Sequence, residues 1–197
     1  LREAASSIGI RLTVIEASLL SLPDDDLQLH LRGCDAVISC LGHVLSLKGV
    51  FGPPRDLVTR ATSRLCRGIE ALRPTAPIKF ILMSSVSVHR AGGLDTRRGL
   101  LEKVFLRMLC SVLPPAGDNQ RAADFLQQEI GAGNPFVEWT AVRPDTLLPG
   151  DASEYTLHEG LVNGLFAPGS TNMANVAHFM CELVTNPKTW ADWKARL

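Results

Sequence analysis

Two spacings of apolar residues alternate along this chain. Cys34-Asp35-Ala36-Val37-Ile38-Ser39-Cys40-Leu41-Gly42 and Lys79-Phe80-Ile81-Leu82-Met83-Ser84-Ser85-Val86-Ser87-Val88-His89 are short apolar or β-branched runs that break into small residues at their C-terminal ends. Runs of this kind suit strands buried on both faces of a parallel sheet. Arg11 to Ile15 and Val137 to Val142 read as two further strands. Between them the spacing changes to threes and fours: Leu57, Ala61, Leu65, Ile69 and Leu72 mark one face of a long helix that Pro53 and Pro54 begin. Arg60, Arg64 and Arg67 mark another face, read as solvated.

Helix punctuation fills in the remainder. Leu1 to Gly9 reads as the tail of a helix. Pro23 with Asp24, Asp25 and Asp26 makes a helix start, because carboxylates near a first turn accept its orphan amides. That helix is expected to run to Arg32 and stop at Gly33. Helices are also expected over Leu94 to Leu113, from a capping Asp118 through Ile130, and over Asn175 to Val184. The order β-α-β-α-β-α-β predicts an α/β fold with a doubly wound parallel sheet and right-handed crossovers. Ligands in such a fold bind beyond the carboxyl ends of the strands.

Composition narrows the function classes. The 197 residues carry 20 Lys plus Arg against 20 Asp plus Glu, so there is no electrostatic case for nucleic acid or an acidic membrane as partner. No apolar stretch reaches the length of a membrane span; Glu102, Lys103 and Arg107 interrupt the most apolar candidate. The five cysteines form no C-x-x-C pair and are odd in number, which suits a reducing, cytoplasmic setting, with Cys34 and Cys40 read as packed thiols. His158 and Glu159 are adjacent rather than spaced as ligands on a helix, so no metal site is expected. There is no G-x-S-x-G elbow of a hydrolase.

Taken in order, Val14-Ile15-Glu16-Ala17-Ser18-Leu19, Cys34 to Ser39, Phe80 to Ser85, Trp139-Thr140-Ala141-Val142-Arg143-Pro144 and Asn175 to Met180 resemble the atypical short-chain dehydrogenases/reductases. The likeness is to their NAD(P)H-binding, biliverdin-reductase-B-like and NmrA-like group, and it extends over nearly the whole chain. It implies a Rossmann fold that binds NADP or NAD. Ser18, Leu19, Cys40, Leu41, Gly42, Ser84, Arg143 and Pro144 would border the cofactor. Residues 1–150 would form the dinucleotide-binding core, and 151–197 a small C-terminal portion on the substrate side of the same domain.

Two departures qualify the likeness. No G-x-G-x-x-G or G-x-x-G-x-x-G occurs, so the glycine turn that lets amides approach a pyrophosphate is not in this sequence. In the family correspondence Arg11 to Ile15 is the third strand, and the chain reads as an N-terminally incomplete version of the domain. Gly49 to Gly52 is a poor substitute, because the Pro53 that follows lacks an amide. The Tyr-x-x-x-Lys pair is also missing: Tyr155, the sole tyrosine, is followed four residues later by Glu159. Ser85 corresponds to the family's substrate-orienting serine, and His89 is the candidate proton donor near the crevice. Three functions stay open: an NAD(P)H-dependent reductase of a small molecule without the Tyr-Lys pair, a non-catalytic NAD(P) sensor, and an interaction module that keeps only the fold.

Overall fold

A computed structural model describes residues 12–44, 46, 52–89, 104, 108, 114–163 and 169–197. Its central element is a parallel sheet of β1 (Ala36–Ser39), β2 (Ile78–Met83) and β3 (Val137–Val142), in that order. The register sets Ser39 beside Leu82 and Leu82 beside Ala141, so all three strands leave the sheet at one edge. Helix α1 (Asp24–Leu31) precedes β1, α2 (Leu57–Leu72) joins β1 to β2, and α3 (Pro114–Phe125) continues as a wider π-type turn over Leu126–Ile130. Two short strands, β4 (Thr146–Leu148) and β5 (Ser170–Asn172), pair in parallel before α4 (Met173–Thr185) and α5 (Pro187–Trp193).

Side-chain alternation along β2 explains why helices cover both faces. Ile78, Phe80 and Leu82 enter one core with Leu65 and Ile69 of α2 and with Ala122 and Phe125 of α3. Ile81, one position out of phase, enters a second core with Phe179 and Leu183 of α4 and Trp190 of α5, and Met83 packs against it. The sheet is therefore doubly wound, as the sequence pattern predicts.

Several ends and edges differ from expectation. Leu12 to Ile15 form no strand, and Leu12, Val14 and Ile15 are exposed; apolar alternation there has no neighbouring strand to pair with among the described residues. β1 is likewise not buried on both faces. Among the described residues it is an edge strand, and Ile38 is 43% exposed. Cys40, just beyond it, is exposed rather than packed. Helix α1 stops where expected, with Gly33 at φ +76°, a conformation that costs any other residue strain. Helix α2 begins at Leu57, three residues past Pro54, and ends on Arg73 in the left-handed region.

The far edge of the sheet is closed by the chain's last residues. Ala195 N donates to the Trp139 carbonyl at 2.6 Å and Ala141 N to that of Arg196 at 2.9 Å. The expected helix Leu1 to Gly9 lies outside the described residues. So does most of Leu94 to Leu113, where Val104 and Met108 alone are described and both are helical and exposed.

Candidate functional site at the strand exits

Three chain segments leave the sheet side by side. Cys40-Leu41-Gly42-His43 continues from β1, Ser84-Ser85 from β2, and Arg143-Pro144-Asp145 from β3. The second and third are tied together, Ser84 N donating to the Val142 carbonyl at 2.8 Å and Val86 N to that of Pro144 at 3.4 Å. Of the residues singled out in the sequence, Cys40, Leu41, Gly42, Ser84, Ser85, Arg143 and Pro144 thus share one edge of the sheet.

Ser18 and Leu19 do not join them through any described bond. The Ser18 carbonyl closes a turn on Ser21 N and Leu22 N, and the Leu19 carbonyl accepts from Arg64 at 2.7 Å. Arg64 also reaches the Leu22 carbonyl and Asp24, so this arginine of the supposedly solvated stripe fastens residues 19–24 to α2. It stands two turns down the helix from the end that faces the strand exits.

Each exit carries a local device. The Ser85 hydroxyl accepts from Ser87 N and Ser87 Oγ, both at 3.3 Å, and Val88 N closes the turn on the Ser85 carbonyl. Its own proton is thereby left to donate. His89 is held at its backbone: its N–H donates to Gln120 Oε1 at 2.9 Å, and its carbonyl accepts from Gln120 Nε2 at 3.1 Å. Gln120 is braced in turn by Asp124, so the polar residues of α3 steady the loop after β2. Arg143 Nη1 donates to the Val88 carbonyl and Nη2 to Leu197 O, drawing that loop against the end of the chain.

Asp118 departs most from its sequence reading. Helix α3 begins at Pro114, a full turn earlier, so Asp118 caps nothing of its own. Its carboxylate is fully buried and caps α2 instead. Oδ2 accepts from Val58 N at 2.7 Å, and Oδ1 from Thr59 N at 3.1 Å and Thr59 Oγ1 at 2.6 Å. His43 Nε2 lies 2.9 Å from Oδ2, and because a carboxylate only accepts, that nitrogen carries the proton. Sequence reasoning missed His43; its place directly after Gly42 at a strand exit was the available signal. With Asp118 on its amides, the start of α2 is closed to an anionic ligand.

Two hydroxyls at these exits, Ser39 Oγ and Ser84 Oγ, are buried with no hydrogen-bond partner among the described residues. Buried hydroxyls ordinarily find partners, so both are open to a ligand's polar groups; a third orphan, Thr62 Oγ1, lies within α2. Together with the small residues of the three exits they fit the nicotinamide and ribose end of a dinucleotide. No glycine-rich diphosphate cradle stands among the described residues, and Gly49 lies outside them.

A cavity of about 480 Å³ opens beside the β2 and β3 exits, reaching from Val86, Arg143 and Pro144 to Tyr155, Asn175 and Phe179. Residues 151–163 form its outer wall as an irregular strap. Asn175 receives Ser153 N on Oδ1 and donates from Nδ2 to Ser153 Oγ, and Tyr155 Oη lies 2.7 Å from His178 Nδ1. A larger concavity of about 730 Å³ lies among α1, α2 and α3. It touches none of the strand exits, and its arginines Arg60, Arg64, Arg67 and Arg121 face Asp56, Asp24, Glu129 and Asp118. The smaller cavity is therefore the candidate for substrate. Among the described residues no cluster suits a metal ion, and no helix is long and apolar enough to cross a membrane.

Comparison with known proteins agrees with this geometry. The fold resembles that of a Lactobacillus casei protein (18% identity, TM-score 0.62, covering 94% of this chain and 78% of that one). It also resembles a Streptococcus pneumoniae protein assigned as an NADH-flavin reductase (18%, TM-score 0.57, 92% and 84%). A third is a Bacillus halodurans protein assigned as an NAD-dependent epimerase/dehydratase (18%, TM-score 0.55, 89% and 67%). No curated protein is significantly similar in sequence. Residues 2–187 match the NAD(P)H-binding family, and the chain belongs to it.

Proposed function

We propose that this chain is an NAD(P)H-dependent oxidoreductase of the atypical short-chain dehydrogenase type, acting on a small molecule without a Tyr-Lys pair. One observation carries the reading. In a member of the NAD(P)H-binding family, a cavity of small-molecule size opens beside the strand exits, lined by Arg143 and Pro144 after β3 and by Val86, the residue that follows Ser85 after β2. A bound reduced nicotinamide supplies hydride. The protein's part is position and exclusion of water.

Ser85 is assigned to the substrate oxygen. With Ser87 N and Ser87 Oγ donating to it, its O–H is available to donate to a substrate oxygen, on which charge builds during reduction. Ser84 offers its orphan hydroxyl to the cofactor, with Cys40, Leu41 and Gly42 giving close approach at the neighbouring exit from β1. Arg143 holds the loop that carries these groups. His89, pinned by Gln120, is the proposed proton source from that loop, with solvent as the alternative. The setting is proposed to be cytoplasmic, and the cofactor NADP or NAD.

Fluorescence titration with NADPH and NADH decides the cofactor, and turnover of a quinone, flavin or aldehyde panel decides the chemistry. Ser85→Ala is expected to lower turnover about a hundredfold, the usual cost of one oxyanion-directed donor, with cofactor affinity nearly unchanged. Full turnover in Ser85→Ala refutes its role. Tight cofactor binding with no turnover in the wild type makes the chain a sensor instead.

A further inference from the structure

Tyr155 has no lysine to assist it in the sequence, yet the fold gives it another partner. Its hydroxyl lies 2.7 Å from His178 Nδ1, and the two rings meet edge to face with centroids 5.8 Å apart. Tyr155 lines the 480 Å³ cavity; His178, on α4, stands behind it and is exposed. We propose that Tyr155 is the group that hands a proton to the substrate oxygen, with His178 as the relay that restores it from solvent. The proposal rests on the reductase reading above but puts Tyr155 in place of His89 as the proton donor, because Tyr155 lines the cavity and His89 does not.

The chemistry balances as follows. With Nδ1 protonated, His178 donates to the phenol oxygen and leaves the phenol's own proton for the cavity. As hydride reaches the carbonyl carbon, the C=O π pair moves onto oxygen and forms an O–H bond with that proton. The phenolate left behind takes the proton of His178 Nδ1, and the exposed imidazole recovers one from water. This divides between two elements, the strap and α4, the work that a tyrosine and lysine on one helix would do. Burial and the negative charge of Glu182 hold the phenol pKa above its usual value, so the donor stays protonated through neutral pH. The charged and titratable groups around it are His178 and Glu182 on α4, Glu154 and His158 on the strap, and Arg143 and Asp145 beyond β3.

The test uses the wild type, Tyr155→Phe and His178→Gln with NADPH and a panel of aromatic and aliphatic aldehydes. Tyr155→Phe is expected to lower kcat about a hundredfold while NADPH affinity by fluorescence stays within about twofold. Because Tyr155 is the sole tyrosine, its ionisation is read directly by ultraviolet absorbance. That midpoint should coincide with the alkaline fall of kcat in the wild type, and both should move together in His178→Gln. A packing role alone would not move the pH limb. Undiminished kcat in Tyr155→Phe, or an alkaline limb that ignores the tyrosine midpoint, overturns the relay while leaving the reductase reading intact. A wild type that binds NADPH and turns over no aldehyde overturns both.

Discussion

Replacing Asp118 should loosen the corner of the fold that supports the candidate site, and the size of the effect can be worked from its bonds. Its carboxylate is fully buried and answers four donors: Val58 N, Thr59 N, Thr59 Oγ1 and His43 Nε2. In Asp118→Ala the Thr59 hydroxyl keeps the Asp118 main-chain oxygen at 3.0 Å. Thr59 N is half-buried and can turn to water. Val58 N is buried and is left without its acceptor, and the His43 ring, only 5% exposed, loses its bond to the carboxylate. The stranded amide costs about 1–3 kcal/mol and the lost charge-assisted bond about 1.5–3 kcal/mol. Relief of the buried charge returns part of this, since desolvating a carboxylate is itself unfavourable by several kcal/mol. The net expectation is a loss of about 3 kcal/mol, or roughly 6–12 °C in Tm for a chain of this size. Asp118→Asn keeps the shape but aims an amide N–H₂ at one set of donors, so it should fall between wild type and Ala. Urea unfolding by circular dichroism measures both. If Asp118→Ala lies within about 0.5 kcal/mol of wild type, the span of ordinary surface changes, Asp118 does not cap α2.

How much of this was legible follows from the range over which each signal acts. β2 and β3 declare themselves because the residues of each face alternate within six positions. Helix α2 does so because its apolar face repeats over four turns. The edge character of β1 is not local: Ala36 to Ser39 look the same whether or not a neighbour covers Ile38. The partners that organise the site are farther apart still. A rule placing Asp at a helix start reads Asp118 as the cap of its own helix, whereas its amides come from a helix 60 residues earlier. Tyr155 and His178 are 23 residues apart, on a strap that follows β4 and a helix that follows β5. The Thr146–Ser170 pairing also joins residues on both sides of position 150, so the core and the C-terminal portion share a sheet there. Sequence spacing could locate the crevice by its small residues, but not the polar pairs that brace it.

Two further predictions concern the opposite end of the sheet. Lys79 Nζ donates to the Leu183 and Val184 carbonyls at the end of α4 and lies 5.2 Å from the centre of the Trp190 ring. Lys79→Met should cost about 2 kcal/mol, as a helix end loses its cation, and a change under about 0.5 kcal/mol in urea unfolding contradicts this. Glu138 gives a pH signature. Burial alone would raise its pKa, but hydrogen bonds from Lys194 and Trp190, with the charges of Lys194 and Lys79, outweigh it and hold the carboxyl below its usual value. In the unfolded chain a glutamate titrates near its ordinary value of about 4.3. Above that pH the folded and unfolded states are both ionised, and the full stabilisation is present. As pH falls below it the unfolded chain binds a proton first, and the stabilisation drains away until the lower folded pKa is passed. The stability gap between wild type and Glu138→Gln should therefore be widest near neutrality and narrow steadily from about pH 5 downward. Added salt should narrow it only in part, because the Lys194 contact is half-exposed and screened whereas the neutral indole of Trp190 is not. A gap that stays constant or widens on acidification means that burial, rather than the lysines and the indole, governs Glu138.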